Sequence, residues 1–230
     1  LIMQANENHA VIFVAGGTGT RMGSALPKQF LTLNNTPILV HTLRNFHAFN
    51  PFFEMVVVMH HEYISFWKDL CLQFENVPEH KVVAGGEERF HSVQNGLNAL
   101  SEKIEFVAVH DAVRPLVSHE TLSRCFQALN ESSAVVPVIP INDSIREVHG
   151  TGNKSVDRSL FKRVQTPQCF RASVLKEAYN KPFSPLFTDD ASVVEANDHS
   201  VFLVEGNLEN IKITSPIDLI VGEALTANTK

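Results

Sequence analysis

The stretch VIFVAGGTGTRMGSALPKQF, residues 11–30, joins an apolar run to a glycine-rich loop that contains two cations. The run at residues 11–14 has no polar alternation, which is typical of a strand buried on both faces of a parallel sheet. The glycines that follow permit positive φ and let successive backbone N–H groups point at phosphate oxygens. Arg21 and Lys28 can supply positive charge to such a ligand. Taken alone, the stretch also fits an ordinary strand-to-helix turn with two exposed cations.

Further apolar runs of strand length alternate with segments of helical spacing along the chain. The later strands are predicted at residues 55–59, 81–84, 106–109, 134–139 and 201–204, and helices are predicted to begin near residues 37, 63, 90, 118, 172, 188 and 215. This alternation predicts a single Rossmann-like α/β domain over residues 1–230, with a mainly parallel sheet covered by helices on both faces. Ligands of such folds lie at the carboxyl ends of the strands. We therefore expect the loops at 16–21, 85–89 and 111–114 to converge.

The pattern changes between residues 141 and 165, where a strand at 144–149, a turn at 150–153 and a returning segment at 155–165 predict a projecting β-arm. An isolated two-stranded arm is marginally stable in water, so it needs a surface to pack on. The economical candidate is a second copy of the chain. The sequence therefore predicts a homodimer that forms through this arm.

The composition argues against several classes of partner. A formal net charge of −6 gives no general attraction to nucleic acid or to an anionic membrane, which favours a small phosphorylated ligand bound by local cations. No apolar run reaches the roughly 20 residues of a membrane helix, and the N-terminal residues do not have the pattern of a signal peptide. Cys71, Cys125 and Cys169 form no C-x-x-C pair, which suits structural, reduced thiols. We expect a cytoplasmic protein.

Several catalytic motifs are absent. The P-loop pattern counted from Gly16 fails because Arg21 and Met22 occupy the positions of its second glycine and lysine, and the dinucleotide fingerprint fails because it needs a glycine at 22. No nucleophile lies beside a base in a recognisable order, which points to direct group transfer. His60, His61 and His110 do not have the spacing of a metal site and are predicted to be loop or surface histidines.

Eight segments, in this order and spacing, resemble sugar-phosphate nucleotidyltransferases and, in detail, the 2-C-methyl-D-erythritol 4-phosphate cytidylyltransferase family. The resemblance covers nearly the whole chain. The segments are AGGTGTRMGSALPKQF (15–30), GGEERFHSVQNGL (85–97), VHDAVRP (109–115), INDS (141–144), VDR (156–158), QTPQ (165–168), TDDAS (188–192) and EGNLENIKIT (205–214).

The resemblance implies that the phosphate of 2-C-methyl-D-erythritol 4-phosphate attacks the α-phosphorus of CTP and releases pyrophosphate, with Mg²⁺ required. Two anionic groups must approach each other, so cations have to stabilise the transition state. The implied catalytic residues are Arg21, Lys28 and Lys212. The implied CTP-binding residues are Ala15, Gly16, Gly17, Gly19, Gly85, Gly86, Glu87, Arg89, Ser92, Asp111 and Ala112. The implied acceptor-binding residues are Asp111, Arg114, Ser144, Arg158, Thr166 and Thr188, and Asp111 is also the implied metal ligand, together with the CTP phosphates.

Most of these residues also have a structural explanation when each is taken alone. Lys212 could be a solvated lysine, Glu87 and Arg89 could form a helix start with a surface salt bridge, and Asp111 with Arg114 could be an ordinary ion pair. The resemblance also implies that Ser144 and Arg158 reach across a dimer.

The chain departs from the family pattern at two positions. Many members have threonine where Ser144 stands, and many have a second basic residue where Thr20 stands. Neither change removes a charge from the pair Arg21 and Lys28.

Two other functions remain open from the sequence. A ribitol 5-phosphate cytidylyltransferase has a very similar glycine loop, although the VDRSLFKR segment and the serine in RFHSV resemble the methylerythritol enzyme more. A non-catalytic sensor could bind CTP in the same fold. The presence of both Arg21 and Lys28 argues against a sensor, which need not stabilise a transition state.

Overall fold

The computed structural model of the chain describes residues 7–17 and 26–227. In chain order the strands are β1 (His9–Ala15), β2 (Thr32–Leu33), β3 (Thr36–Pro37), β4 (Glu54–Met59), β5 (Lys81–Ala84), β6 (Phe106–Asp111), β7 (Ala134–Pro140), β8 (Arg146–His149), β9 (Gly152–Ser155), β10 (Lys162–Val164), β11 (Gln168–Arg171) and β12 (Phe202–Glu205). The helices are α1 (Ile38–Phe49), α2 (Ile64–Cys71), α3 (Arg89–Asn98), α4 (His119–Ala128), α5 (Ala172–Tyr179), α6 (Asp190–Glu195) and α7 (Pro216–Ala227).

Eight of these strands form one sheet, in which β7, β11, β6, β1, β4 and β5 lie side by side and β10 and β12 also pair with β7. The β1, β4, β5 and β6 strands are mutually parallel, and β12 is parallel to β7. Of these eight strands, β10 and β11 run in the opposite direction. The predicted fold class, a mainly parallel α/β sheet, is therefore confirmed. The sequence did not predict that two of its strands, β10 and β11, run antiparallel to their neighbours.

The continuous apolar run of β1 is buried on both faces of the sheet, as its pattern predicts. Val11 and Phe13 belong to a core with α1, α2 and α4, whereas Ala10 and Ile12 belong to a second core with α3 and α5. All four side chains are fully buried. Helices therefore cover both faces, and the ends of the central strands are left free to form a site.

The β-arm is shorter than predicted. Its hairpin comprises only β8 and β9, and the segment predicted to return through residues 155–165 instead rejoins the main sheet, where β10 pairs with β7. The β10 sequence, Lys-Arg-Val, has no alternation of apolar and polar residues. The sequence therefore could not predict that β10 pairs with β7.

The helices predicted to begin near residues 118 and 37 start in different ways. The Ser118 hydroxyl accepts a hydrogen bond from the backbone N–H of Thr121 and so caps α4. Thr36 does not cap α1, because this residue lies in β3 and pairs with β2. The helix begins at Ile38 because Pro37, with φ −56° and ψ 140°, is still in an extended conformation.

Helix α3 packs closely on the sheet at Gly96. A Cβ atom there would lie 2.7 Å from Cγ2 of Ile12 and 3.0 Å from Cγ2 of Val58, so the position has no room for a larger residue. The same helix begins at Arg89 and contains Ser92. The close approach at Gly96 therefore fixes the distance of both side chains from the ends of the central strands.

Candidate active site

A cavity of about 270 Å³ lies at the carboxyl ends of β1, β4, β5 and β6. The three loops that the sequence predicts to converge all contribute to it. The predicted residues that line it are Ala15, Gly16, Gly17, Lys28, Gly85, Gly86, Glu87, Arg89, Ser92, Asp111 and Lys212, and the further lining residues are Val14, Gln29, His60, Glu88 and Val113.

The glycine loop after β1 and the turn that contains Lys28 lie against each other. Gln29 is buried, and its side-chain amide donates to the carbonyl oxygen of Ala15 at 2.7 Å. A Cβ atom on Gly17 would lie 3.3 Å from Cε of Lys28, so the lysine side chain passes close to the glycine backbone. Arg21 and Gly19, which belong to the same predicted loop, lie outside the described residues.

Two glycines after β5 form a tight turn around the Ser92 hydroxyl. The Gly86 N–H donates to Ser92 Oγ at 3.1 Å, and the Gly85 N–H donates to the Met59 carbonyl at 2.7 Å. A Cβ atom on Gly85 would lie only 2.9 Å from Ser92 Oγ. Within residues 7–17 and 26–227 no hydrogen bond uses the hydroxyl proton of Ser92. That proton can therefore be donated to an acceptor in the cavity.

Arg89, whose side chain is 32% exposed, pairs with the fully buried carboxylate of Asp190 rather than forming the surface salt bridge considered from the sequence. Its Nη1 and Nη2 atoms donate to the two carboxylate oxygens of Asp190 at 2.7 and 2.6 Å, and the Tyr179 hydroxyl donates to Asp190 Oδ1 at 2.6 Å. Burial would lower the pKa of Arg89, but the Asp190 carboxylate raises that pKa above its usual range. The guanidinium charge is therefore balanced by a fully buried carboxylate.

Asp111, the last residue of β6, lies between two cations. Its Oδ2 atom is 3.0 Å from Nε of Arg114 and 3.1 Å from Nζ of Lys212. Burial would raise the pKa of Asp111, but Lys212, Arg114 and Arg89 together hold it below its usual range. The carboxylate is therefore ionised. Lys212 is 42% exposed, but it is more than the solvated lysine that its local sequence also allows, because its ammonium group pairs with Asp111 at the cavity.

Four predicted residues contact their neighbours outside the cavity wall. The Ala112 N–H donates to the Val14 carbonyl at 3.1 Å. Arg114 and Thr166 both form hydrogen bonds with Asp111. The Thr188 N–H donates to Ser192 Oγ at 3.1 Å.

The two residues implied to reach across a dimer are exposed in the single chain. Ser144 precedes the hairpin, and the guanidinium of Arg158 donates to the Asn142 carbonyl. Neither of them lines the cavity.

One of the three histidines predicted to lie in loops or on the surface is buried instead. His110 is fully buried at the end of β6, so that prediction is wrong, because an apolar strand can end on a polar residue that finds buried partners. His60 is in a loop but lines the cavity. Across residues 7–17 and 26–227 there is no group of three His, Cys, Asp or Glu side chains that could hold a metal ion.

Two further observations concern the chain outside the cavity. All three cysteines are unpaired thiols. No helix within the described ranges is long and apolar enough to cross a membrane.

Sequence reasoning missed Asp190 as a site residue, although it lies in the quoted TDDAS segment. The only local signal is the helix start, where Asp189 and Ser192 form a capping box. The partner of Asp190 is 101 residues earlier in the chain, and no periodicity connects the two.

We expect Asp190→Asn to lower the free energy of unfolding by about 2 kcal/mol, because the partly buried Arg89 charge would lose its carboxylate partner. Urea denaturation measures the change. The control Lys154→Met, which removes an exposed pair at 2.8 Å with Glu147, should cost about 0.5 kcal/mol or less. Adding Arg89→Met to Asp190→Asn should recover most of the loss. A double variant no more stable than Asp190→Asn would show that the unpaired charge is not the cause.

Known proteins give an independent comparison. Residues 9–228 match the family 2-C-methyl-D-erythritol 4-phosphate cytidylyltransferase. The protein of that name from Bacteroides thetaiotaomicron is 49% identical over 216 residues, which cover 94% of this chain and 98% of that protein. A second, from Bacteroides fragilis, is 50% identical over 214 residues, which cover 93% and 97%.

Solved structures agree with this match. The crystal structure of 2-C-methyl-D-erythritol 4-phosphate cytidylyltransferase from Thermus thermophilus superposes with a TM-score of 0.78 at 32% identity and covers 95% of this chain and 98% of that one. The corresponding structure from Francisella tularensis has a TM-score of 0.79 at 32% identity, with coverage of 94% and 99%. The chain therefore belongs to the 2-C-methyl-D-erythritol 4-phosphate cytidylyltransferase family.

Proposed function

We propose that this chain transfers the cytidylyl group of CTP to 2-C-methyl-D-erythritol 4-phosphate and releases pyrophosphate. The observation that carries the proposal is the cavity at the carboxyl ends of four parallel strands. Its glycine loop and Lys28 lie on one wall, Gly85, Gly86 and Ser92 on another, and the Asp111–Lys212 pair beside them. This arrangement suits a nucleotide whose triphosphate faces cations and whose base faces a polar turn.

The turn at Gly85 and Gly86 supports recognition of cytosine. Ser92 accepts from Gly86 N–H and keeps its own proton for a ligand. Cytosine presents two adjacent acceptors, N3 and O2, whereas uracil has a donor at N3. A hydroxyl donor that faces N3 favours cytosine, because uracil would place its own N3–H donor against it.

The cations support direct phosphoryl chemistry. As the acceptor phosphate attacks in line, negative charge grows on the oxygens around the α-phosphorus and on the leaving pyrophosphate. Lys28 and Lys212 line the cavity and can stabilise that charge, and the family pattern adds Arg21. No covalent enzyme intermediate is needed.

Asp111 fits a Mg²⁺ site shared with the CTP phosphates. Both cations contact Oδ2 of Asp111, and within the described ranges no hydrogen bond or ion pair reaches Oδ1. Mg²⁺ typically takes one or two carboxylate oxygens together with substrate phosphates. When bound, the ion would neutralise phosphate charge, and Asp111 would hold it beside Lys212.

A coupled assay of pyrophosphate release tests the acceptor. With CTP and Mg²⁺ we expect a kcat/KM for 2-C-methyl-D-erythritol 4-phosphate at least about tenfold higher than for D-ribitol 5-phosphate, since the two polyols differ in groups that the acceptor pocket contacts. UTP in place of CTP and chelation of Mg²⁺ are the controls. The reverse acceptor preference would identify a ribitol 5-phosphate cytidylyltransferase. CTP binding without turnover on any polyol phosphate would identify a sensor.

Lys28→Ala should lower kcat by about 100-fold or more and change the Kd of CTP by less than about tenfold, because its charge matters most where negative charge develops. Steady-state kinetics and calorimetric titration of CTP measure the two quantities. Lys68→Ala, at an exposed lysine of α2, is the matched control and should change neither. Equal losses in kcat and in CTP affinity would mean that Lys28 only anchors the nucleotide.

We propose a homodimer in which the segment around the hairpin packs on a second copy. Val148, Leu160, Phe161 and Val164 are large apolar side chains, and each is between 46% and 79% exposed in the single chain. A cluster of such side chains is typical of an interaction surface. A second copy seated there would also bring Ser144 and Arg158 near another chain, as the family pattern implies.

Light scattering during size-exclusion chromatography should give twice the mass of the chain at micromolar concentration. Phe161→Asp should weaken the dimer by about tenfold or more, because a charge would be buried in the apolar interface. Leu72→Asp, at an 87% exposed residue after α2, should leave the mass unchanged. A wild-type chain that elutes as a monomer would overturn the proposal.

The cellular location and the excluded partners remain predictions. The unpaired thiols of Cys71, Cys125 and Cys169 support a cytoplasmic location. The net charge of −6 supports a small-molecule substrate rather than nucleic acid or a membrane.

A further inference from the structure

His110 is a fully buried histidine directly before Asp111, and the proposed transfer does not use it. Its Nε2 atom lies 2.9 Å from the carbonyl oxygen of Arg114, and its Nδ1 atom lies 3.0 Å from Oγ1 of Thr166. The rings of Phe46 and Phe13 pack against the imidazole, with centroids at 4.7 and 6.2 Å. A polar ring in such surroundings needs both of its hydrogen bonds.

The partners of the imidazole determine its tautomer. A carbonyl oxygen only accepts, so Nε2 carries the proton and donates to Arg114. The ring is fully buried against Phe13 and Phe46, and its Nδ1 atom meets a hydroxyl rather than a carboxylate, so these surroundings favour the neutral ring, in which Nδ1 is an acceptor. The Thr166 hydroxyl must therefore donate to Nδ1.

The same hydroxyl also accepts a hydrogen bond. The backbone N–H of Asp111 donates to Thr166 Oγ1 at 3.1 Å. The hydroxyl proton is thus used by His110 and one lone pair is used by Asp111. A phosphate group at neutral pH needs hydrogen-bond donors, and Thr166 has no proton left to give it.

We infer that His110 and Thr166 are a positioning pair, which fixes the backbone of Asp111, and that Thr166 acts through Asp111 rather than by binding the acceptor phosphate. This inference rests on the proposed function for its effect on turnover. It differs from the direct acceptor-binding role that the family pattern implies for Thr166.

Further contacts show why the pair matters for the cations. The Arg114 carbonyl accepts the hydrogen bond from His110 Nε2–H. The Nη1 atom of Arg114 donates to the Asn210 carbonyl at 2.8 Å. The side-chain amide of Asn210 donates to the Thr166 carbonyl at 2.8 Å. Lys212 follows Asn210 by two residues. The loop of Lys212, the turn of Asp111 and the loop of Thr166 are therefore held in one closed set of hydrogen bonds.

The first experiment needs no activity. In the chain of residues 1–230, ¹⁵N NMR of the histidine rings should show His110 as the neutral Nε2–H tautomer, and Thr166→Val should shift its Nδ1 resonance while Thr166→Ser should not. An Nδ1–H tautomer in the wild-type protein would overturn the inference. Because this measurement needs no substrate, its outcome does not depend on the proposed reaction, whose failure would show separately as a wild-type chain without turnover.

The second experiment is a double-mutant cycle on turnover with the acceptor. Thr166→Val and His110→Phe should each lower kcat by about tenfold with little change in acceptor KM, and the double variant should also lose about tenfold, because both changes break one chain of contacts. Thr166→Ser should retain wild-type kcat. A raised acceptor KM in Thr166→Val, or losses that multiply to about 100-fold, would show direct binding by Thr166. If His110→Phe does not fold, the ring tautomer and the two Thr166 variants decide the question.

Discussion

The pairing of the buried Asp111 carboxylate with two cations is the interaction on which this end of the cavity depends. It ends β6 and pairs with Arg114 from its own turn and with Lys212 from a loop about 100 residues later. Without Asp111, the positive charges of Arg114 and Lys212 would repel each other. Without the two cations, the buried carboxylate would lower the stability of the fold. The pairing removes both costs. It also holds Lys212 at the cavity wall, where it can respond to a second anion.

The two buried carboxylates divide the cavity into ends of different character. Asp190 accepts one hydrogen bond from each of the two terminal nitrogens of Arg89. The guanidinium therefore adds little net charge to the end of the cavity near Ser92. Asp111 shares a single oxygen between Arg114 and Lys212 and leaves its other oxygen unused within the described ranges. Lys28 and Lys212 both line the cavity, and Lys212 lies beside Asp111. A chain with a net charge of −6 can thus keep a local anion site.

The sequence predicts the parts of this molecule that follow from local periodicity. The apolar run of β1, the glycines at strand ends and the convergence of the loops that contain Gly16, Gly85 and Asp111 all follow from alternating strands and helices. The sequence does not predict contacts between polar groups far apart in the chain. From the sequence His110 looks like a loop residue and Asp190 like an ordinary carboxylate at a helix start, because burial and partner choice are decided by tertiary packing.

The antiparallel strand explains how Thr166 reaches an edge built by parallel strands. Gln168, the first residue of β11, pairs with Val109 near the carboxyl end of β6. Because β11 is antiparallel to β6, its first residue rather than its last lies at the edge of the sheet that carries the cavity. The loop before it, with Thr166, therefore meets Asp111. Since β7 ends and β10 begins at the same edge, the hairpin between them also projects from there. This segment therefore joins the edge where the cavity lies without interrupting the parallel strands β1, β4, β5 and β6.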